Sequence, residues 1–377
     1  MKKILISLVV LVMVVTLILG GCAPSTPTPA PTPSPTPSPT PAPTQEVIEL
    51  TFANFMPPVT VASKAWEEFC KALESRTDGR VKVTYIPGGA LLDGPRMADG
   101  ITTGIADMGW MMVAYTPGRY PVTSIIEMPL KSPSGWVVTH AANDFFKKYT
   151  VKEWDEVHPL VFFSTGPSVI YSNKPVRKME DMKGLILRAV GSAGAMCSLL
   201  GGTPDSLPAT EVYDAVLKGV INGALMPYEA APGWRYYEVC DYVTDCWQAG
   251  SQAPFEVVMN KNTWNKLPPD IQAVVTEVSE EWIDKMAVVM NDADVAGIEV
   301  CKKAGVETIE LSPEEGDRWN KTCQPVIDKY ISGLVERGYT EQEAKGFVDY
   351  MSERIAYWTQ QQIEKGIKSP TGPPELR

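Results

Sequence analysis

The chain has 377 residues, with 45 Asp and Glu against 34 Lys and Arg, giving a formal net charge of -11 at pH 7. That balance argues against a nucleic-acid partner and offers no broad basic field, so any anion has to be held by a local site. Only two histidines, His140 and His158, are present, and none of the seven cysteines is spaced as CxxC, which argues against a metal cluster.

Lys2 and Lys3 precede an apolar run from Ile4 to Leu19, which ends at Leu19-Gly20-Gly21-Cys22. Residues 1–21 read as an export signal, and Leu-x-Gly-Cys resembles the lipobox, in which the cysteine becomes the lipidated first residue of the mature chain. An uncleaved N-terminal anchor is the alternative, and both put the remainder outside the cytoplasm. From Ala23 to Thr44 the chain holds only Pro, Thr, Ser and Ala, a composition that favours extended polyproline geometry at about 3.1 Å per residue. Residues 22–45 are therefore expected to be a tether, with a recognition or glycosylated stalk as the competing reading.

Beyond residue 46 the length suits two lobes. Glu49 to Ala53 reads as a strand and Asn54 to Pro58 as a turn. A helix follows, with Ala62, Trp66, Phe69 and Leu73 on one face and Gly79 as its stop. Val81 to Tyr85 alternates as a strand, a helical segment surrounds Met97 to Thr102, and Ile105 to Met112 is a third apolar run. This β-α-β-α-β order predicts a largely parallel sheet with helices on its faces. A second α/β unit starts after residue 160, with strands at 161–163, 168–172, 185–187 and 220–225 and a helix from Ala193 to Leu200. The segment from Phe255 to Met259 is expected to return to the first sheet. Pro268-Pro269-Asp270 opens a helix that runs to about Ala304, long enough to cross both lobes. A last helix carries Phe347, Met351, Ile355 and Trp358 on one stripe.

The predicted architecture is a two-lobed α/β fold like that of periplasmic binding proteins. Its first lobe is 46–167 plus 254–290, and its second is 168–253 plus 291–368 with the C-terminal helices. Ligands of such sheets bind beyond the carboxyl ends of the strands, here in the interlobe cleft. No catalytic constellation is convincing. Gly184, Gly191 and Gly194 are not a dinucleotide fingerprint, and Gly166-Pro167-Ser168 lacks the second glycine of a hydrolase elbow. His140 and Asp144, one helical turn apart, read as a surface hydrogen bond. No catalytic residue, metal or cofactor is expected. Cys240 and Cys246 are the first pair to examine for a disulfide, with buried free thiols as the alternative.

Several blocks resemble the solute-binding component of tripartite ATP-independent periplasmic (TRAP) transporters, the DctP-type family. They are Tyr85-Ile86-Pro87-Gly88-Gly89-Ala90-Leu91 with Gly104-Ile105-Ala106-Asp107-Met108; Asn173-Lys174-Pro175-Val176 with Glu180 to Arg188; Glu211-Val212-Tyr213 with Gly219 to Gly223 and Pro227; and Lys261 to Pro268. The likeness covers residues 48 to 320. It implies a protein that closes on a small organic acid and hands it to membrane permease subunits, and it puts the family's carboxylate-binding arginine at Arg188. A planar guanidinium suits that role because it offers two parallel donors and stays charged when buried.

The departures bear on the ligand. Met226 stands where the family commonly has Asn, Ser168 where sialic-acid-binding members have a second arginine, and Phe55 and Met112 at positions polar in those members. A monocarboxylate with an apolar or aromatic body is therefore expected on Arg188, among Phe55, Trp110, Met112, Met226 and Trp234. Each apolar residue taken alone is equally well read as core. Tyr228 and Glu229 are available to a hydroxyl or amine. Two alternatives remain open: a sensor subunit feeding a membrane signalling protein, and the amino-acid-binding component of an ATP-driven transporter.

Overall fold

A computed structural model describes residues 47–377, so Cys22, the signal segment and the Pro-rich segment lie outside the described residues. The strands are β1 (Ile48–Asn54), β2 (Val81–Ile86), β3 (Met108–Met112), β4 (Val157–Ser164), β5 (Val169–Ser172), β6 (Ile186–Arg188), β7 (Thr203–Asp205), β8 (Gly223–Met226), β9 (Tyr242–Asp245), β10 (Pro254–Asn260) and β11 (Glu307–Glu310). The helices are α1 (Val61–Arg76), α2 (Gly94–Thr102), α3 (Gly135–Lys148), α4 (Ser192–Leu199), α5 (Ala209–Leu217), α6 (Ala230–Trp234), α7 (Lys261–Lys266), α8 (Pro269–Lys303), α9 (Pro313–Val335) and α10 (Glu341–Glu364).

Two sheets organise the chain, ordered β2-β1-β3-β10-β4 and β11-β9-β5-β8-β6-β7. The return of β10 to the first sheet follows the sequence expectation, but its direction does not: β10 runs antiparallel to both β3 and β4. In the second sheet β5 is antiparallel to β8 and β9. The sheets are therefore mixed where a largely parallel one was expected. The reason is topological, since β10 re-enters the first sheet after a crossover and not after a βαβ turn. Two expected strands are also shorter than their apolar runs. Ile105 is 57 % and Val220 60 % exposed, each in a turn before the strand begins.

The turn that carries Phe55 shows how sequence becomes local structure here. Asn54 ends β1 with its side chain buried; its Nδ2 donates to Ser63 Oγ (2.8 Å) and Tyr85 Oη (2.6 Å), and its Oδ1 accepts the Met56 N–H (2.8 Å). The adjacent Gly88 and Gly89 adopt φ of +74° and +72°, a region glycine enters without a Cβ penalty. Their amides donate to Met56 O and Asn54 O. Thr60 then caps α1, accepting from Ser63 N at 3.2 Å. Trp66, Phe69 and Leu73 are fully buried against the first sheet.

Three strands of chain link the sheets. The segments after β4 and before β10 run side by side, with Ser168 N–H donating to Ser251 O (2.8 Å) and Ala253 N–H to Thr165 Oγ1 (3.0 Å). The third link is α8, 35 residues and so about 52 Å long. Its stripe of Ile271, Val275, Val278, Trp282, Met286 and Met290 joins the core of the first sheet, and its far end meets the second sheet through Cys301.

Cys240 and Cys246 are both buried and free, as are Cys70, Cys197, Cys301 and Cys323, so the disulfide raised from the sequence is absent among the described residues. His140 is buried too, and it does not bond Asp144 as expected. It stacks on Trp358 at 4.3 Å, while Asp144 accepts from Arg354 and Trp358. Burial lowers the His140 pKa to about 4, which leaves a neutral packing residue.

Candidate ligand-binding cleft

Arg188 is the last residue of β6, where alternation sends Leu187 into one core and Arg188 to the opposite face. Its guanidinium is buried, 4 % exposed. Nε donates to Leu207 O at 3.0 Å, and Nη1 lies 2.8 Å from the Met226 thioether, a weak acceptor. Burial lowers its pKa, and the only opposing influences among the described residues are the phenols of Tyr236 and Tyr115. A buried cation without a carboxylate is costly and requires anionic compensation.

Facing it is an aromatic wall from the first sheet. Phe55 and Trp110 have ring centroids 5.6 Å apart, Phe55 and Tyr115 5.8 Å, and Trp110 meets Phe255 edge-on at 5.1 Å. Met112 is paired in register with Phe255 and joins the same cluster. Trp110 is 1 % exposed, and its indole N–H has no acceptor among the described residues. From the other side, Trp234 at the end of α6 packs against both this cluster and the core that holds Met226. Lobe thus meets lobe at the cleft mouth.

Of the residues expected in the pocket, the fold brings together Phe55, Trp110, Met112 and Trp234 in one cluster and Arg188 with Met226. Ser168 and Glu229 lie outside that cluster, on two segments whose backbones, at Gly166 and Glu229, both bond Asp294. Ser168 is buried on the first crossover; Glu229 is half-buried, and burial with the nearby Asp294 charge pushes its carboxyl up to about 8. Tyr228 is buried in the core of the second lobe, its ring at 6.5 Å from Tyr171, and its hydroxyl has no hydrogen-bond partner among the described residues. Two phenols near Arg188, Tyr115 and Tyr236, were not singled out from the sequence. The available signal was their position, Tyr115 just past the end of β3 and Tyr236 two residues beyond Trp234. Two surface cavities, of 350 and 440 Å³, contain none of these residues; Val113 and Ala114, which follow Met112, line the larger.

Residues 52–333 match the family model for bacterial extracellular solute-binding protein, family 7, also called DctP. The C4-dicarboxylate-binding periplasmic protein DctP of Rhodobacter capsulatus is 22 % identical over 290 residues, 75 % of this chain and 86 % of that one. A TRAP periplasmic solute-binding protein from Desulfovibrio salexigens superposes with a TM-score of 0.74 at 30 % identity, covering 82 % of this chain and 96 % of that one. A TRAP solute-binding protein from Rhodoferax ferrireducens, in complex with copurified benzoate, has a TM-score of 0.78 at 22 % identity, covering 84 % and 99 %. With three quarters of its length in the family match and a two-lobed fold shared with TRAP solute-binding proteins, this chain belongs to the DctP family of bacterial extracellular solute-binding proteins.

Proposed function

We propose that the chain captures a monocarboxylate with an apolar or aromatic body and delivers it to TRAP permease subunits. Arg188 pairs with the ligand carboxylate, and Phe55, Trp110, Met112, Met226 and Trp234 enclose its body. The observation that carries this reading is the buried Arg188 guanidinium, which has no carboxylate among the described residues and sits beside a wall of aromatic rings. A ligand carboxylate supplies the missing charge through two parallel N–H···O bonds, while the rings and thioethers give adaptable apolar contact. A second carboxylate or a ring of hydroxyls would go unpaired on that wall, costing about 1–3 kcal/mol per buried group. The benzoate held by the Rhodoferax relative is a ligand of this class.

Calorimetry with benzoate, an aliphatic 2-oxo acid, succinate and a hexuronate tests the reading. The expected result is binding of one of the first two, weakened about 10–100-fold in Arg188→Ala. Tight binding of succinate or hexuronate alone, or full affinity in Arg188→Ala, would overturn it.

The reading extends to the lobes and the address. The lobes are 46–167 plus 254–290 and 168–253 plus 291–368, and the domain works outside the cytoplasm, held at the membrane by a lipid on Cys22. Cys22→Ser is expected to move the protein from the membrane fraction to the soluble one. Its retention in membranes at the parent level would remove the lipid anchor.

A further inference from the structure

Asp294 sits in the second half of α8, on its buried face between Met290 and Gly297, and is 2 % exposed. No cation acts on it among the described residues. Its carboxylate instead accepts two backbone N–H groups from opposite directions. Oδ2 takes Gly166 N–H at 3.1 Å, on the first crossover two residues before Ser168, and Oδ1 takes Glu229 N–H at 2.8 Å, at the start of the segment that leads into α6 and Trp234.

The surrounding backbone is shaped to allow this approach. A Cβ on Gly166 would overlap Asp294 Oδ2, and one on Gly297, a turn along α8, would overlap the Tyr228 carbonyl oxygen. Three pieces of chain are thus in van der Waals contact around one carboxylate: the crossover, the long helix and the loop that presents Glu229 and Trp234. A buried carboxylate is an expensive way to fasten a helix. Its two oxygens can, however, fix two amides that belong to different segments at once, and an amide side chain has only one acceptor oxygen.

We propose that Asp294 is a positioning residue for the ligand site, fastening the Gly166–Ser168 crossover and the Glu229–Trp234 segment to α8 so that both present their side chains to the cleft in a fixed arrangement. The inference does not depend on which acid is bound. The groups that face the carboxylate from the packed elements are Glu229 and, through its charge, Tyr171 on β5; neither is a cation. Burial pushes Asp294 up to about 7, so its two bonds change from charge-assisted to neutral as pH falls through neutrality.

The test compares the full-length parent with Asp294→Asn and Glu229→Gln by hydrogen exchange, read in peptides covering 165–168 and 228–234, at pH 6 and pH 8 with rates corrected for intrinsic exchange. Asn keeps the volume and one acceptor but does not titrate. Asp294→Asn is expected to speed exchange about tenfold in both peptides, leaving peptides from β1 and β3 unchanged, and to abolish a parent pH response that Glu229→Gln retains. Affinity for whichever of benzoate and the 2-oxo acid binds the parent is expected to fall in parallel with the loss of protection. Unchanged protection in either peptide, a uniform loss of protection across the molecule, or a pH response that persists in Asp294→Asn would each overturn the proposal. If neither benzoate nor the 2-oxo acid binds the parent, the choice of ligand class fails, while the exchange data still decide the role of Asp294.

Discussion

At the scale of single residues, the proposed site holds polar groups whose burial is only partly compensated. Among the described residues Arg188 lacks an anion and Trp110 lacks an acceptor, and Glu229 is held largely protonated near neutral pH, with its pKa pushed up to about 8. Glu229 has a consequence for stability. Its folded-state pKa lies above the unfolded value near 4.3, so the native state holds a proton that the unfolded chain has lost, and stability falls as pH rises toward 8. The two histidines act oppositely and lower down: burial lowers both to about 4, so they favour the native state increasingly from pH 4 to about 6.5 and add nothing further above it. Glu229 alone is therefore expected to lower the unfolding free energy by about 1–2 kcal/mol between pH 6.5 and 8.5, after discounting for its partial exposure. Urea titrations at the two pH values measure it, and Glu229→Gln should remove its part of the slope, the rest coming from Asp294, pushed up to about 7, and the buried Glu256 carboxyl, raised well above its ordinary range. An unchanged slope in that variant would assign the effect to other buried acids.

At the scale of elements, α8 does most of the joining. Its first half packs on α1, where Trp282 Nε1 donates to Ala65 O at 3.0 Å, and its second half lies against the Tyr228–Glu229 backbone. Gly297 permits that approach, since any side chain there collides with backbone and not with a flexible neighbour. Gly297→Ala is expected to destabilise the protein by about 1–3 kcal/mol, the usual range for overpacking, even though alanine favours the helix. Denaturant unfolding reads this directly. A stabilised Gly297→Ala would mean that α8 stands off from Tyr228 in solution.

At the scale of the whole molecule, the lobes touch at the cleft mouth, where Trp234 bridges the two cores and Gly233 approaches Thr60. Three linking segments, two of them hydrogen-bonded side by side, give a hinge with a preferred axis. Ligand is expected to shift an open population toward a more closed one. Solution scattering should then show a smaller radius of gyration at saturation than without ligand. An identical radius in both conditions would leave binding intact and remove hinge closure.

Much of this protein is legible in the sequence because it depends on contiguous residues. Apolar periodicity marks α1, α8 and α10, alternation marks β2, and the Pro-Gly-Gly turn after Tyr85 has the glycines that its positive φ angles require. The family blocks place Arg188 at the carboxyl end of a strand. What the sequence leaves open is decided by segments far apart in the chain. The direction of β10, the failure of Cys240 and Cys246 to pair, and the burial of Tyr228 all depend on how crossovers close. Asp294 is the sharpest case. In the sequence it is one acid interrupting an apolar helical stripe, and its partners lie 128 and 65 residues away. Periodicity specifies which face of a helix is buried, but only the tertiary fold brings two backbone amides to a buried carboxylate on that face.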